Sequence, residues 1–225
     1  VLIGGEPGIG KSTLLLRMAS DICQNSTGGV LYVSGEESED QVKLRCDRLG
    51  VKDANLYLVH ETNLDSVIQL VEQNMATQNP FTAVVIDSIQ TVETQECPSP
   101  PGSVAQVRFC TSRLQDLAKS LNTTVLITGH VTKSGDIAGP RTLEHMVDTV
   151  LYMEGDPITH TRILRSMKNR FGASNEIGVF DMTDKGLSEV ADGVIPHSIE
   201  VGSVLLLSHK YSTEYKGWNH YSSII

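Results

Sequence analysis

No apolar run in this 225-residue sequence approaches the length of a membrane span, which argues against a transmembrane helix. Positive charge is also in short supply. The 18 Lys and Arg stand against 27 Asp and Glu, for a net charge of −9. Such a surface does not attract nucleic acid as a whole, so any contact with DNA must come from a local basic loop. The four cysteines, Cys23, Cys46, Cys97 and Cys110, contain no C-x-x-C pair, and with it the zinc signature is missing. Scattered thiols of this kind fit reduced residues in a reducing compartment. There is no internal repeat and no low-complexity stretch. The sequence opens at Val1, inside what reads as a strand, with no methionine or leader ahead of it, so localisation is not legible from this end. What is present is ordinary for a globular chain. With 40% hydrophobic and 20% charged residues, it can form one sizeable α/β domain with a full core, or a domain plus a tail.

The chain is organised around Gly5-Glu6-Pro7-Gly8-Ile9-Gly10-Lys11-Ser12, which fits the phosphate-binding pattern G-x-x-x-x-G-K-[ST]. Apolar Val1, Leu2 and Ile3 precede it as the end of a buried strand. Leu14, Leu15, Met18 and Ile22 follow at helical spacing, so the loop lies between a strand and a helix, as the motif requires. The glycines let the backbone aim its N–H groups at an anion, and the helix that starts near Lys11 adds its positive end. Lys11 is positioned for the β/γ-phosphates of a nucleoside triphosphate and the Ser12 hydroxyl for Mg²⁺, with Thr13 counted among the nucleotide-binding residues.

Downstream, β-rich runs at 30–33, 56–59, 81–86 and 123–128 alternate with helical patterns. Ser38 with Gln41 is a capping box, opening a helix that ends near Leu49, where Gly50 is a natural C-cap. Helical periodicity returns over 64–75 and again from Ser103 to about residue 121. Three prolines and a glycine make 93–102 a loop, and two glycines with Pro140 make 133–140 another. Three further β-like segments follow at 147–153, 162–167 and 176–181, then a turn at Asp184-Lys185-Gly186. The expected fold is α/β: a mainly parallel sheet with helices on both faces, extended by antiparallel strands. The domain is expected over 1–190. In the remaining 191–225 only the apolar 201–207 reads as a strand.

Chemistry concentrates at predicted strand ends. Asp87 closes an apolar strand and, paired with the glycine-rich loop, is the expected Mg²⁺-holding carboxylate, acting through Ser12 or a water. Triphosphate hydrolysis needs a carboxylate to polarise the attacking water. Glu36 and Glu37 end the strand that follows the first helix; Glu36 is favoured as base, with Glu37 second. His130 ends the strand expected beside that of Asp87, where an imidazole can touch the γ-phosphate; a satisfied structural histidine is the competing reading. Lys133 and Arg141, in the glycine-rich loop, are the candidates for single-stranded DNA. Arg162, Arg165, Lys168 and Arg170 form the densest basic stretch. It reads either as cations offered to the nucleotide of a neighbouring subunit, as direct DNA contacts, or as a solvated strand edge.

Val33-Ser34-Gly35-Glu36-Glu37-Ser38, Ile86-Asp87-Ser88-Ile89-Gln90-Thr91, Gly129-His130-Val131-Thr132-Lys133 and Lys168-Asn169-Arg170-Phe171-Gly172, in this order, resemble the bacterial RadA/Sms DNA-repair family. Ala138-Gly139-Pro140-Arg141 and Leu143-Glu144-His145 extend the resemblance, which runs from residue 1 to about 190. It implies a RecA-like ATPase core using ATP and Mg²⁺. It also implies a hexameric homo-oligomeric ring on single-stranded DNA, branch migration of recombination intermediates, and a RecA-type recombinase as a partner. The implied setting is the cytoplasm at a bacterial nucleoid, or an organelle if the gene is eukaryotic. Gly10, Lys11 and Ser12 then serve phosphate and Mg²⁺, Glu36 activates water, Lys168 and Arg170 couple nucleotide to DNA across a subunit boundary, and 129–141 faces DNA. The family's four-cysteine zinc module and Lon-like domain are not in this sequence, so no zinc is expected. The rival readings are another RecA-like ring motor, against which the KNRFG run argues, and a nucleotide- or DNA-binding module without motor activity.

Overall fold

The computed structural model describes residues 1–130, 142–155, 160–174 and 176–190. One nine-stranded sheet carries the molecule, in the order β3-β2-β4-β5-β1-β6-β7-β8-β9. β1 (Leu2–Gly5), β2 (Gly29–Ser34), β3 (Leu56–His60), β4 (Phe81–Asp87), β5 (Thr124–His130) and β6 (Thr149–Gly155) run parallel. β7 (Thr161–Asn169), β8 (Ile177–Thr183) and β9 (Gly186–Glu189) continue the sheet antiparallel. This is the mixed α/β architecture expected from alternating patterns followed by a run of strands.

The apolar runs of β1, β2 and β4 are unbroken because both sheet faces are covered. On one face α1 (Lys11–Asn25) and α2 (Glu39–Leu49) bury Leu15, Leu16, Val42 and Cys46 against Ile3, Tyr32, Val85 and Leu126. On the other, α3 (Leu64–Asn74) and α4 (Val104–Leu121) bury Val67, Val71, Val107 and Leu114 against Leu31, Val84, Ile86 and Ile127. The Ser38–Gln41 capping box and the left-handed Gly50 cap are both present. Asn63 and Ser103 cap α3 and α4 with their side chains.

Several boundaries differ from the sequence reading; β6, expected over 147–153, spans Thr149–Gly155, and β8, expected over 176–181, spans Ile177–Thr183. β5 continues to His130, because Gly129 and His130 pair with Gly4 and Gly5 of β1. β7 includes Lys168 and Asn169, which pair with β6. The turn is Asp184-Lys185, and Gly186, with φ of 101°, opens the last antiparallel strand, which is too short to show a period. β8 covers β7 over Thr161–Arg165, so Arg162 and Arg165 are not on a sheet edge, whereas Lys168 pairs with β6 alone and Arg170 lies beyond the strand. The 201–207 strand, Lys133 and Arg141 lie outside the described residues. None of the described helices is long and apolar enough to cross a membrane.

Candidate active site

Parallel strands place their carboxyl ends on one edge of the sheet, and the chemistry collects there. β5 lies between β1 and β4, so His130 emerges between the phosphate loop and Asp87, with β2 beyond. The loop itself wraps the start of α1. Gly10 is left-handed, with φ of 117°, and lies so close under the Met182 methyl that a side chain there would collide with it. α1 is the one described helix without a side-chain N-cap. Its first N–H groups are therefore left for an anion.

Lys11 is buried, at 4% exposure, and its ammonium donates to the carbonyls of Gly5 (3.0 Å) and Glu6 (2.9 Å) and to His130 Nδ1 (3.0 Å). Desolvation lowers its pKa, opposed by the charges of Asp87 and Glu36. Because an ammonium can only donate, Nδ1 accepts, and Nε2–H is left to donate to Glu36 Oε1 at 2.9 Å. Ser88 Oγ donates to the same oxygen at 2.7 Å. Glu36 reaches this place because the Gly35 N–H donates to the Asp87 carbonyl, and Gly35 packs against Thr91 with no room for a side chain. The imidazole thus joins the phosphate-loop lysine to the favoured base, both of which the sequence reading names separately.

Glu37 faces elsewhere: its carboxylate pairs with Arg45 at 2.6 Å. Asp87 is buried, with Tyr32 Oη donating to Oδ2 (2.6 Å) and Thr128 Oγ1 to Oδ1 (2.7 Å). Burial and the adjacent Asp87 charge push the Tyr32 phenol well up, which keeps it a donor. Among the described residues no group of three or more His, Cys, Asp or Glu side chains converges on a metal. A magnesium ion here would depend on Ser12, Asp87, water and phosphate oxygens, which is the oxygen-rich set it takes with nucleotides. The three buried cysteines are free thiols inside the core. Burial pushes Cys23 up to about 11 and Cys110 to about 12, far from nucleophilic.

The basic stretch of β7 is divided by the fold. Arg162, at 8% exposure, donates through Nε to the Ile9 carbonyl of the phosphate loop at 2.9 Å. Arg165 pairs with Glu154 at 3.0 Å. Six strand residues beyond Arg162, roughly 20 Å away, Lys168 donates to the carbonyls of Glu144 (2.8 Å) and Val147 (2.7 Å). Arg170 meets Asp148 at 2.8 Å, with 58% of its side chain exposed. Since β7 runs antiparallel to β6, Lys168 and Arg170 lie at the sheet edge opposite Gly5 and cannot reach the phosphate loop of their own subunit. Sequence reasoning missed Tyr32, Ser88, Thr128 and the inward course of Arg162. No local pattern marks them, since β2 is buried throughout and all four depend on tertiary pairing.

The hydrogen bond from His130, helped by that from Ser88 and by the Lys11 charge, outweighs desolvation and lowers the Glu36 pKa from 4.5 to about 2. A folded pKa below the unfolded one gives stability that is complete above about pH 4.5 and fades as pH falls through about 2. In denaturant titrations, the advantage of the native protein over Glu36→Gln should therefore shrink between those values. An advantage that stays constant over this window would show that Glu36 is not so held.

Gly-rich loop, lysine, Walker-type aspartate and strand-end glutamate on a parallel sheet define a P-loop ATPase. The family model described as "AAA domain" matches residues 1–136, and the chain belongs to that family, as a RadA/Sms-type ATPase core. It is 53% identical over 190 residues to the DNA repair protein RadA of Bacillus subtilis, covering 84% of this chain and 40% of that protein. For the Streptococcus pneumoniae RadA the identity is 56% over 190 residues, 84% of this chain and 44% of the relative. The chain thus spans about two-fifths of the length of these relatives. Its fold is shared with a solved ATPase domain, at a TM-score of 0.68 and 13% identity, over 84% of each chain.

Proposed function

We propose that this chain is the motor core of a DNA-repair ATPase that hydrolyses ATP, moves on single-stranded DNA and promotes branch migration of recombination intermediates. The observation that carries the reading is the Lys11–His130–Glu36 chain of hydrogen bonds at the carboxyl edge of the sheet. Gly5, Glu6, Pro7, Gly8, Ile9, Gly10, Lys11, Ser12 and Thr13 hold the triphosphate, and Ser12 with Asp87 hold the magnesium ion. When bound, that ion neutralises charge on the β/γ-phosphates. Lys11 binds phosphate, Glu36 orients and polarises the attacking water, and His130 registers whether the γ-phosphate is present. Arg170 serves the site of the next subunit in a homo-oligomeric ring, and Lys168 keeps the 144–147 carbonyls and the end of β7 in place. The work is done in a bacterial cytoplasm at the nucleoid, with a RecA-type recombinase as the candidate protein partner.

Residues 131–141, which the sequence resemblance assigns to DNA, follow His130 directly in the chain. Lys133→Ala with Arg141→Ala should weaken single-stranded DNA binding and flatten its log–log salt slope by about 1.4, with ATP affinity nearly unchanged. Fluorescence anisotropy across a salt series measures both. An unaltered salt slope would remove these two residues from the DNA contact. Steady-state ATP hydrolysis with and without single-stranded DNA tests the function as a whole: turnover stimulated by DNA supports it. No turnover in either condition leaves a nucleotide-binding module.

A further inference from the structure

The carboxylate of Asp87 is held from both sides by hydroxyls of the neighbouring strands. Tyr32 lies on β2 and Thr128 on β5, the two strands that flank β4. Register brings them together. Tyr32 is level with Val85, and Ile127 with Ile86, so Tyr32, Asp87 and Thr128 share the sheet face on which α1 packs. Tyr32 and Thr128 are fully buried, at 1% and 0% exposure. A buried phenol and a buried carboxylate are each costly without a partner, and here they satisfy one another. Thr128 Oγ1 has the Ile86 carbonyl as a second neighbour at 3.5 Å, well beyond its 2.7 Å contact with Asp87. One donor would leave the carboxylate free to pivot about the clamped oxygen. Two donors, one on each oxygen, fix its plane.

We propose that Tyr32 and Thr128 are positioning residues for the divalent cation: together they set the direction in which Asp87 presents its carboxylate, and thereby the affinity of the site for metal. This inference rests on the nucleotide reading of the site. Hydrogen-bond partners behind a metal-binding group change metal affinity by about 10–100-fold when they are removed.

Mn²⁺, followed by electron paramagnetic resonance and titrated into the protein with a non-hydrolysable ATP analogue, reads that affinity without turnover. Tyr32→Phe and Thr128→Val, which preserve side-chain shape, should each weaken Mn²⁺ binding by about 10-fold. The affinity for the analogue in EDTA should stay as it was. Thr128→Ser returns the donor and should recover the binding lost in Thr128→Val. Placed on an Asp87→Ala background, Tyr32→Phe should cost nothing more, because its effect runs through that carboxylate. Wild-type Mn²⁺ affinity in Tyr32→Phe overturns the inference, as does an equal loss with and without Asp87. If the native protein takes up no Mn²⁺ with the analogue, the nucleotide reading itself fails, and this inference with it. Uptake by native protein and variants alike overturns only the role given to the two hydroxyls.

Discussion

Glu36→Gln is expected to bind ATP almost normally and to hydrolyse it about 10²–10⁴-fold more slowly, the usual contribution of a general base. The substitution keeps the size of the side chain and its acceptor oxygen, so the His130 and Ser88 hydrogen bonds can persist while the charge is lost. Glu37→Gln should act close to normally, because Glu37 is turned to Arg45 and away from the phosphate loop. Lys11→Ala should abolish turnover altogether. An ammonium has three protons, and those of Lys11 already meet Gly5, Glu6 and His130. Donation to phosphate must therefore release at least one of these acceptors. If that is His130, phosphate binding and the freedom of Glu36 change in one step. Single-turnover hydrolysis together with equilibrium binding of labelled ATP separates the two variants: binding kept with slow chemistry for Glu36→Gln, binding lost for Lys11→Ala. Normal turnover in Glu36→Gln would move the role to another acid.

Much of this arrangement was legible in the sequence because its signals are local. The glycine-rich loop, the Ser38–Gln41 box and the apolar β4 ending in Asp87 each need only a few neighbouring residues to be read. Strand-end placement of Glu36 and His130 followed from the same local patterns. What the sequence did not carry was pairing across the sheet. That β5 lies between β1 and β4 is a tertiary fact, and only it brings His130 into contact with both Lys11 and Glu36. That the Glu37 carboxylate is occupied is likewise tertiary, because its partner Arg45 is a residue of α2 eight positions further on. The basic stretch reads as one unit because its residues are close in sequence. In a strand, residues that are near in sequence can still serve opposite ends of a sheet, and β7 carries Arg162 to the phosphate loop and Arg170 to the far edge.

That division shapes the second large effect expected. Arg170→Ala should lower ATP turnover by about 10³–10⁵-fold, the worth of an arginine that stabilises a transferring phosphoryl group from outside the subunit. Folding should hardly change, since the exposed Arg170–Asp148 pair contributes only about 0–1 kcal/mol. Lys168→Ala should behave differently. Its ammonium holds two carbonyls of its own chain, so losing it should lower the unfolding midpoint, and any loss of turnover should follow the loss of structure. Because the sheet keeps Arg170 away from its own phosphate loop, two explanations remain for an inactive Arg170→Ala: service to a neighbouring subunit, or contact with DNA. Mixing decides between them. An Arg170→Ala subunit still has Glu36, and a Glu36→Gln subunit still has Arg170. Assembled together with ATP, the two inactive proteins form some interfaces that carry both groups, and hydrolysis should return in proportion to those interfaces, without DNA as well as with it. Sedimentation of the same mixture checks that the subunits have exchanged. If exchanged subunits recover nothing, Arg170 does not act across the boundary. A defect that appears only when DNA is present would then place it on the nucleic acid.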